Sequence, residues 1–268
     1  MDGGVARGAR IRTPSVIGLR STSMTTSTGR NQPVWQGSFN LADVGGLPLR
    51  DGGVTRPGIV YRSGRTEYLT AEGWRAARAT GVTTVIDLRN PGEADRETEA
   101  PVIEADAMVG IRFLTCPTED PNDPNFIEAC GAWLDHPLSY PDNIRLYPGK
   151  FAEVFREIAG AEDAVLVHCA AGRDRTGMVM AMLLHLAGVA PEAIADDYVA
   201  AAIRFNAGLG VVPGLTVETA HSAALMEDRI ASRRPALLGW LASLDVGTYL
   251  RDAGLSEAEI DSVRTRLR

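Results

Sequence analysis

Two hydrophobic periods divide this chain of 268 residues. Short apolar, β-branched runs read as buried strands, and stretches with apolar side chains three and four apart read as helices. Residues 164–167 (Ala-Val-Leu-Val) and 83–88 are strands on this reading, and 111–114 is a third. Residues 34–66 break into short strands and turns at Gly45-Gly46, Pro48, Gly52-Gly53 and Pro57-Gly58. Thr70 is predicted to cap a helix running to Thr80, with Glu72 in its first turn and Gly81 past its end. Residues 90–105 are charged and expected to be helical in part, while 150–159 place Phe151, Val154, Phe155 and Ile158 on one helical face. Residues 178–187 are apolar and mostly unbranched, which suits a buried helix, and Gly188 can end it in a left-handed conformation.

Beyond it, helices are expected near 191–206, 217–231, 235–244 and 256–267, the last opened by a Ser256/Glu259 capping box. Residues 117–147, rich in Pro and Asp, read as irregular structure bordering a site. The apolar loop 208–214 reads as a packed connector in preference to a lid. Trp74, Trp133 and Trp240 are expected in the core or an interface, with Tyr140 and Tyr147 near the site. Strands alternating with helices predict an α/β fold: a central, mostly parallel sheet flanked by helices, with a helical C-terminal portion.

Composition narrows the function classes. A formal net charge of −7 sets nucleic acid aside, and the overall field repels anions, so an anionic ligand must be captured by local positive charge. No stretch approaches the 18 or so apolar residues of a membrane span. Residues 1–31 lack the apolar segment of a secretory signal, so a disordered tail or an over-extended start (Met24 being an alternative) is expected, with 32–268 as the catalytic domain. The expected location is cytoplasmic, or exported without a recognisable signal peptide. Three cysteines make no disulfide framework, which suits a reducing compartment. Cys116 and Cys130 read as structural thiols without metal-ligand spacing, so neither metal nor cofactor is expected.

The chemistry concentrates at His168-Cys169-Ala170-Ala171-Gly172-Arg173-Asp174-Arg175-Thr176-Gly177. The motif joins a predicted strand to a predicted helix, so its loop lies at a helix N-terminus, where unpaired N–H groups and the helix dipole favour an anion. Ala170, Ala171, Gly172, Arg173 and Asp174 form a phosphate cradle, Gly172 giving the backbone its bend. Arg175 supplies a planar two-pronged grip on phosphate oxygens. The same field favours a thiolate at Cys169, placed to attack phosphorus in line. Thr176 is expected to support that sulfur as it leaves, and His168 to orient the loop.

These residues resemble the Cys-x5-Arg protein tyrosine phosphatase superfamily. The longer pattern, His-Cys-x-Ala-Gly-basic-Asp-Arg-Thr-Gly, is similar to its bacterial atypical branch, the mycobacterial protein tyrosine phosphatase B type. The segment 39–46, with Asn40 and Asp43, resembles the branch's Asn-x-x-Asp block; 56–63, 85–89 and 249–254 match further family segments. The resemblance implies a phosphatase of dual or triple specificity working through a phosphocysteine, on phosphorylated proteins or phosphoinositides. Arg173 stands where the branch carries Lys, and Ala170 where some relatives carry an aromatic, which opens the pocket floor.

The ester's leaving oxygen needs a proton from a carboxylic acid. Asp174, inside the loop, ranks first, and the resemblance implies a catalytic role for it. Asp87, at the end of strand 83–88, ranks second, with pairing to Arg175 or Arg89 an equal alternative. Asp120 and Asp123 rank third. The rival readings are a phosphoinositide or inositol-phosphate phosphatase, favoured by Arg173 as a second cation, with transient contact at a membrane surface, and an inactive phosphate-binding module. The intact Cys169, Asp174 and Arg175 argue against the module.

Overall fold

A computed structural model describes residues 32–93, 100–210 and 218–268. Five strands form one sheet: β1 (Ala42–Asp43), β2 (Val60–Ser63), β3 (Val82–Asp87), β4 (Arg112–Thr115) and β5 (Ala164–His168). Their spatial order is β1-β2-β5-β3-β4, parallel throughout except for β1 at one edge. β5 lies at the centre and is buried along its whole length, as its unbroken apolar run requires.

The period of two along β5 sorts its side chains to opposite faces. Leu166 and Ala164 pack with Tyr61, Val85, Trp74 and Ala77, beneath helix α1 (Ala71–Ala79). Val165 and Val167 pack with Ile86, Val60 and the larger helical layer on the other face. That layer contains α4 (Pro148–Gly160), α5 (Asp174–Leu186), α6 (Pro191–Gly208), α7 (Ala223–Ser243), α8 (Val246–Asp252) and α9 (Glu257–Arg266). Residues 176–184 of α5 are all buried, so this helix is the hub of the layer. Thr70, Gly188 and the Ser256/Glu259 capping box take the predicted roles.

The register aligns the carboxyl ends of the parallel strands. Ser63 pairs with His168, His168 with Asp87, and Asp87 with Thr115. The four chains therefore leave the sheet at one edge, where ligands bind in open α/β sheets.

Four expectations need correction. The segment 117–147 is not irregular: it forms α2 (Pro124–Cys130), α3 (Tyr140–Leu146) and two short 3-10 turns. Asp123 caps α2 with Pro124 at its first position, so a Pro/Asp pair that reads as a turn starts a helix instead. The helices expected at 217–231 and 235–244 are one helix, α7, with Pro235 inside it. Proline removes one helical hydrogen bond there at a cost of about 3 kcal/mol. Leu237, Trp240 and Leu241 are buried beyond it, and Arg233 and Arg234 are anchored just before it, to Asp135 and to Glu192 and Asp196. α8 was not foreseen. Of residues 90–105, 94–99 lie outside the described residues, and the remainder reaches helical form only where the 3-10 turn Ala105–Met108 begins.

Of the expected connector 208–214, residues 211–214 lie outside the described residues. Its start is packed: Gly208 ends α6 so close to Phe39 that an added Cβ would lie 2.4 Å from the ring. Trp74 and Trp240 are buried, whereas Trp133 is half exposed.

Candidate active site

Loop 169–173 leaves β5 at the carboxyl edge and enters α5, which begins at Asp174, four residues earlier than its apolar pattern indicates. Three of the loop's carbonyls are engaged on its outer side. Ala170 O accepts from Arg65 N at 3.0 Å. Ala171 O accepts from Asn40 Nδ2 at 2.9 Å. Gly172 O accepts from Arg62 Nη2 at 2.9 Å and Asn40 Nδ2 at 3.2 Å. Each peptide is planar and trans, so an outward carbonyl sends the next N–H to the opposite side. The amides of Ala171, Gly172 and Arg173 therefore face inward, making an anion nest at the head of α5.

Three supports hold this arrangement. Arg62, on β2, is fully buried and pairs with Asp197 of α6 at 2.7 Å. Asn40 adopts a left-handed φ of 52°, which brings its amide under the loop. Gly172 has φ of 66°, and a Cβ there would lie 2.4 Å from the Ser63 carbonyl carbon and oxygen. Only glycine lets the loop press so closely on the end of β2. Tyr140 OH donates to Asp174 O at 3.2 Å, fixing the first turn of α5 from below.

Cys169 is buried at the start of the loop. Arg175 returns over the site from α5, and Glu93 takes one edge of its guanidinium, accepting from Nη1 at 2.7 Å and Nη2 at 2.9 Å. This leaves the edge formed by Nε and the second Nη2 hydrogen as a two-pronged donor for phosphate. Burial works against the Arg175 charge, but Glu93, Cys169 and Glu119 outweigh it and hold the side chain cationic. In turn, burial pushes the Glu93 carboxyl up, and Arg175 more than offsets this and holds it below the usual range.

The remaining predicted residues fall into place unevenly. His168 is buried, with Nδ1 3.4 Å from Cys169 O and Nε2 3.8 Å from Asp87 Oδ2; burial lowers its proton affinity. Asp87 is chelated by Arg89, which donates from Nε at 2.9 Å and 3.0 Å and from its backbone N at 3.0 Å. Burial raises the Asp87 carboxyl, but Arg89 and His168 outweigh it, and the group stays below its usual range. A carboxylate held charged in this way is a poor acid, so Asp87 takes the pairing role with Arg89 that was its alternative reading. Thr176 Oγ1 is fully buried and has no hydrogen-bond partner among the described residues, so the expected bond to the Cys169 sulfur is not formed in this state.

Arg173 departs from the expectation of a second pocket cation. Its Nε donates to Asp174 Oδ2 at 3.0 Å, its Nη atoms reach Glu218 at 3.3 Å and 3.4 Å, and its guanidinium lies 4.6 Å over the Phe205 ring. Two carboxylates and an aromatic face thus compensate its charge on the α6 side of the loop. Asp174 keeps 17% of its side-chain surface open, and burial raises its proton affinity by more than Arg173 lowers it.

Asp120 and Asp123 do not reach the site. Asp120 accepts from Asn122 N at 2.9 Å, and Asp123 accepts from Asn125 N and Tyr147 OH, each at 2.9 Å. Their neighbour Glu119 does reach it, with Oε1 3.3 Å from Arg175 Nη1. Glu93, Glu119, Arg62, Asn40 and Asp197 all escaped notice as site residues in the sequence. Adjacency to Asp120 was the available signal for Glu119, and the charged stretch after Asp87-Leu88-Arg89 was that for Glu93. Cys116 and Cys130 are free and buried, and burial pushes their thiols up to about 12 and about 11. No group of side chains suited to a metal ion occurs among the described residues, and no helix there is long and apolar enough to cross a membrane.

Comparison with known proteins agrees with this geometry. A Cupriavidus necator protein named provisionally as a tyrosine-protein phosphatase is 31% identical over 260 residues, covering 89% of this chain and 88% of its own. A tyrosine-protein phosphatase of Nostoc commune is 32% identical over 216 residues, covering 72% and 68%. The triple specificity protein phosphatase PtpB of Mycobacterium tuberculosis is 26% identical over 273 residues, covering 85% and 96%. The solved structure of P. aeruginosa TpbA aligns with 74% of this chain and 88% of its own at 18% identity, with a TM-score of 0.35, too low to add to the argument. The model of the tyrosine phosphatase family matches residues 33–268, the whole stretch that builds the sheet, the loop and the helical layer, and the chain belongs to that family of phosphoric monoester hydrolases.

Proposed function

We propose that this enzyme removes phosphate from phosphotyrosine proteins, with dual specificity, through a cysteinyl-phosphate intermediate at Cys169. The observation that carries the mechanism is the loop itself: three carbonyls turned outward, their amides turned inward, and Cys169 at the base beneath the free edge of Arg175. In the first step Sγ forms a bond to phosphorus and the ester P–O bond breaks. The loop amides and Arg175 hold the three equatorial oxygens as charge redistributes among them. Donors set in advance in this way are each worth about 10²–10³ in rate. In the second step water attacks phosphorus and Sγ leaves, restoring Cys169.

The leaving oxygen requires a proton. Among the carboxyls around the loop, those of Asp174 and Glu119 are raised by burial, which favours the protonated form that a general acid needs. Asp87 and Glu93 are held charged by arginines and do not suit that role.

The test is to trap phosphate on Cys169 by rapid acid quench and to measure turnover in Cys169→Ser. A trapped phosphoenzyme in the wild type and loss of turnover in the variant support the mechanism; a variant that turns over normally would falsify it. Phosphoinositide hydrolysis is the second reading, with Arg173 as the second cation for a highly anionic ligand. It would require Glu218 to give up Arg173 to the ligand. A panel of phosphotyrosine, phosphoserine and phosphoinositide substrates ranks the two, and a Glu218→Gln variant should raise phosphoinositide turnover selectively if Arg173 serves that class.

A further inference from the structure

We propose that the open edge of β4 is a dimerisation surface. A second copy of this chain adds its own β4 there, antiparallel about a twofold axis beside Leu114, so that the two sheets run on as one. β4 is the outermost strand of the sheet and pairs with β3 on its inner side. Cys116 N donates to Asp87 O at 2.8 Å, so the main-chain groups of Cys116, Leu114 and Arg112 face β3. Successive residues alternate, and those of Phe113 and Thr115 therefore point away from the sheet. Among the described residues no hydrogen bond engages them. Exposed edges are ordinarily blunted by proline, lysine, a bulge or a covering element. β4 carries neither proline nor lysine, its register with β3 is regular, and Arg112, Phe113 and Thr115 are exposed.

The edge is complementary to itself. An antiparallel strand exchanges both hydrogen bonds between residues whose main chains face each other. An axis beside Leu114 sets Phe113 opposite Thr115 of the second copy, and Thr115 opposite its Phe113, so every outward N–H meets an outward carbonyl. Leu114 then faces its own counterpart on the α4 side, at the close spacing of a non-hydrogen-bonded pair. On the α1 side the two Phe113 rings lie diagonally across the axis, within reach of each other. Phe113 rests on Trp74, with 5.4 Å between ring centroids, yet is 48% exposed, so an isolated chain leaves much of an aromatic ring in water.

Charge is complementary in the same register, which brings Arg112 opposite Cys116 of the second copy. Arg112 pairs with Glu157 of α4 in its own chain at 2.9 Å and stays half exposed. α4 descends from the carboxyl edge to the start of β5, so Glu153, one turn before Glu157, lies nearer the carboxyl end of β4. There it stands beside Cys116, whose thiol it helps to push up. Glu153 is exposed and has no partner among the described residues. The register therefore carries the Arg112 guanidinium of each copy to the Glu153 carboxylate of the other. The antiparallel join points the two carboxyl edges in opposite directions, so the phosphate loops stand apart and each site is complete within one chain.

The experiment is sedimentation velocity of the full chain across the micromolar range. Wild type should show monomer–dimer exchange, with a Kd in that range because the interface is small. Thr115→Pro removes an outward N–H from each copy at an edge position that tolerates proline, and should raise Kd by at least about tenfold. Arg112→Glu and Glu153→Arg should each raise Kd by about three- to tenfold, and the double variant, with the charges exchanged, should restore it to within about threefold of wild type. The kcat on p-nitrophenyl phosphate should be unchanged in all of these and independent of protein concentration, which also shows that the variants fold. In a Cys169→Ser background, Leu114→Cys should form an interchain disulfide on mild oxidation and Phe113→Cys should not, since only the former meets its counterpart directly.

A chain that stays monomeric throughout the range would overturn the proposal. So would a dimer indifferent to Thr115→Pro and to both charge reversals, or a disulfide formed as readily by Phe113→Cys as by Leu114→Cys. A monomer whose KM for phosphotyrosine peptides rises on Thr115→Pro would also overturn it and would assign the edge to a substrate strand.

Discussion

The buried pair Arg62–Asp197 joins β2 to α6 and, through Gly172 O, holds the phosphate loop. Both side chains are 1% exposed, so solvent screening does not weaken their interaction. Asp197→Ala leaves the Arg62 charge uncompensated in the core, and removal of one partner from such a pair costs about 3–5 kcal/mol. Replacing both residues with apolar ones, as in Arg62→Met with Asp197→Leu, removes both charges together. Exchanges of that kind are about neutral in stability or better. The double variant nevertheless loses the bond from Arg62 to Gly172 O, which orients the inward amide of Arg173. Its stability should therefore lie within about 1 kcal/mol of wild type, while kcat on p-nitrophenyl phosphate falls about 10²-fold, the order expected for one misdirected oxyanion donor. Urea unfolding of the four proteins of the cycle, with the m-value checked for constancy, gives the coupling energy, and steady-state kinetics give the catalytic loss. Loss of less than about 1 kcal/mol in Asp197→Ala would refute the reasoning, as would a stable double variant with wild-type turnover.

Gly172→Ala should lose at least about 10²-fold in kcat/KM, because its Cβ would meet the Ser63 backbone and shift the loop; steady-state assay against phosphotyrosine peptide checks this. Glu93→Gln should raise KM, with inorganic phosphate inhibiting less well, since Arg175 loses the carboxylate that fixes one edge of its fork. The Glu93 carboxyl lies below its usual range in the folded chain, so its stabilising contribution is complete above the unfolded carboxylate range and is lost as pH falls through the lowered value. Glu93→Gln should thus flatten the decline in stability between neutral pH and about pH 3, measured by denaturant midpoints. Pro235→Ala should stabilise the protein by about 1–3 kcal/mol, visible as a rise in Tm of a few degrees, with activity unchanged.

The parts of the fold that were legible in sequence were those with a local cause. The β-branched run of β5, the apolar surface of α5 and the caps at Thr70 and Ser256 announce themselves within a few residues. The phosphate loop was equally readable, because its N–H groups, its glycine and its arginine are contiguous. What escaped depends on long-range contacts. Arg62 reaches Asp197 across 135 positions, and Asn40 reaches the loop across 131. Glu93 and Glu119 are ordinary carboxylates until β3 and β4 deliver them to Arg175. The two-helix reading of 217–244 failed for the opposite reason: Pro235 is a strong local signal that tertiary packing overrides.

The strand order carries a consequence for synthesis. β2 and β3 are successive strands in the chain but do not pair; β5 lies between them, and it begins roughly eighty residues after β3 ends. At ribosomal speeds of about 5–20 residues per second, the first two parallel strands wait roughly 4–15 s for the strand that pairs with both. During that interval a nascent chain presents two unsatisfied apolar edges, the condition under which newly made proteins recruit holding chaperones or aggregate. The strand that closes the sheet also brings out the nucleophile at its end, so no nascent chain carries Cys169 clear of the ribosome before the sheet can close.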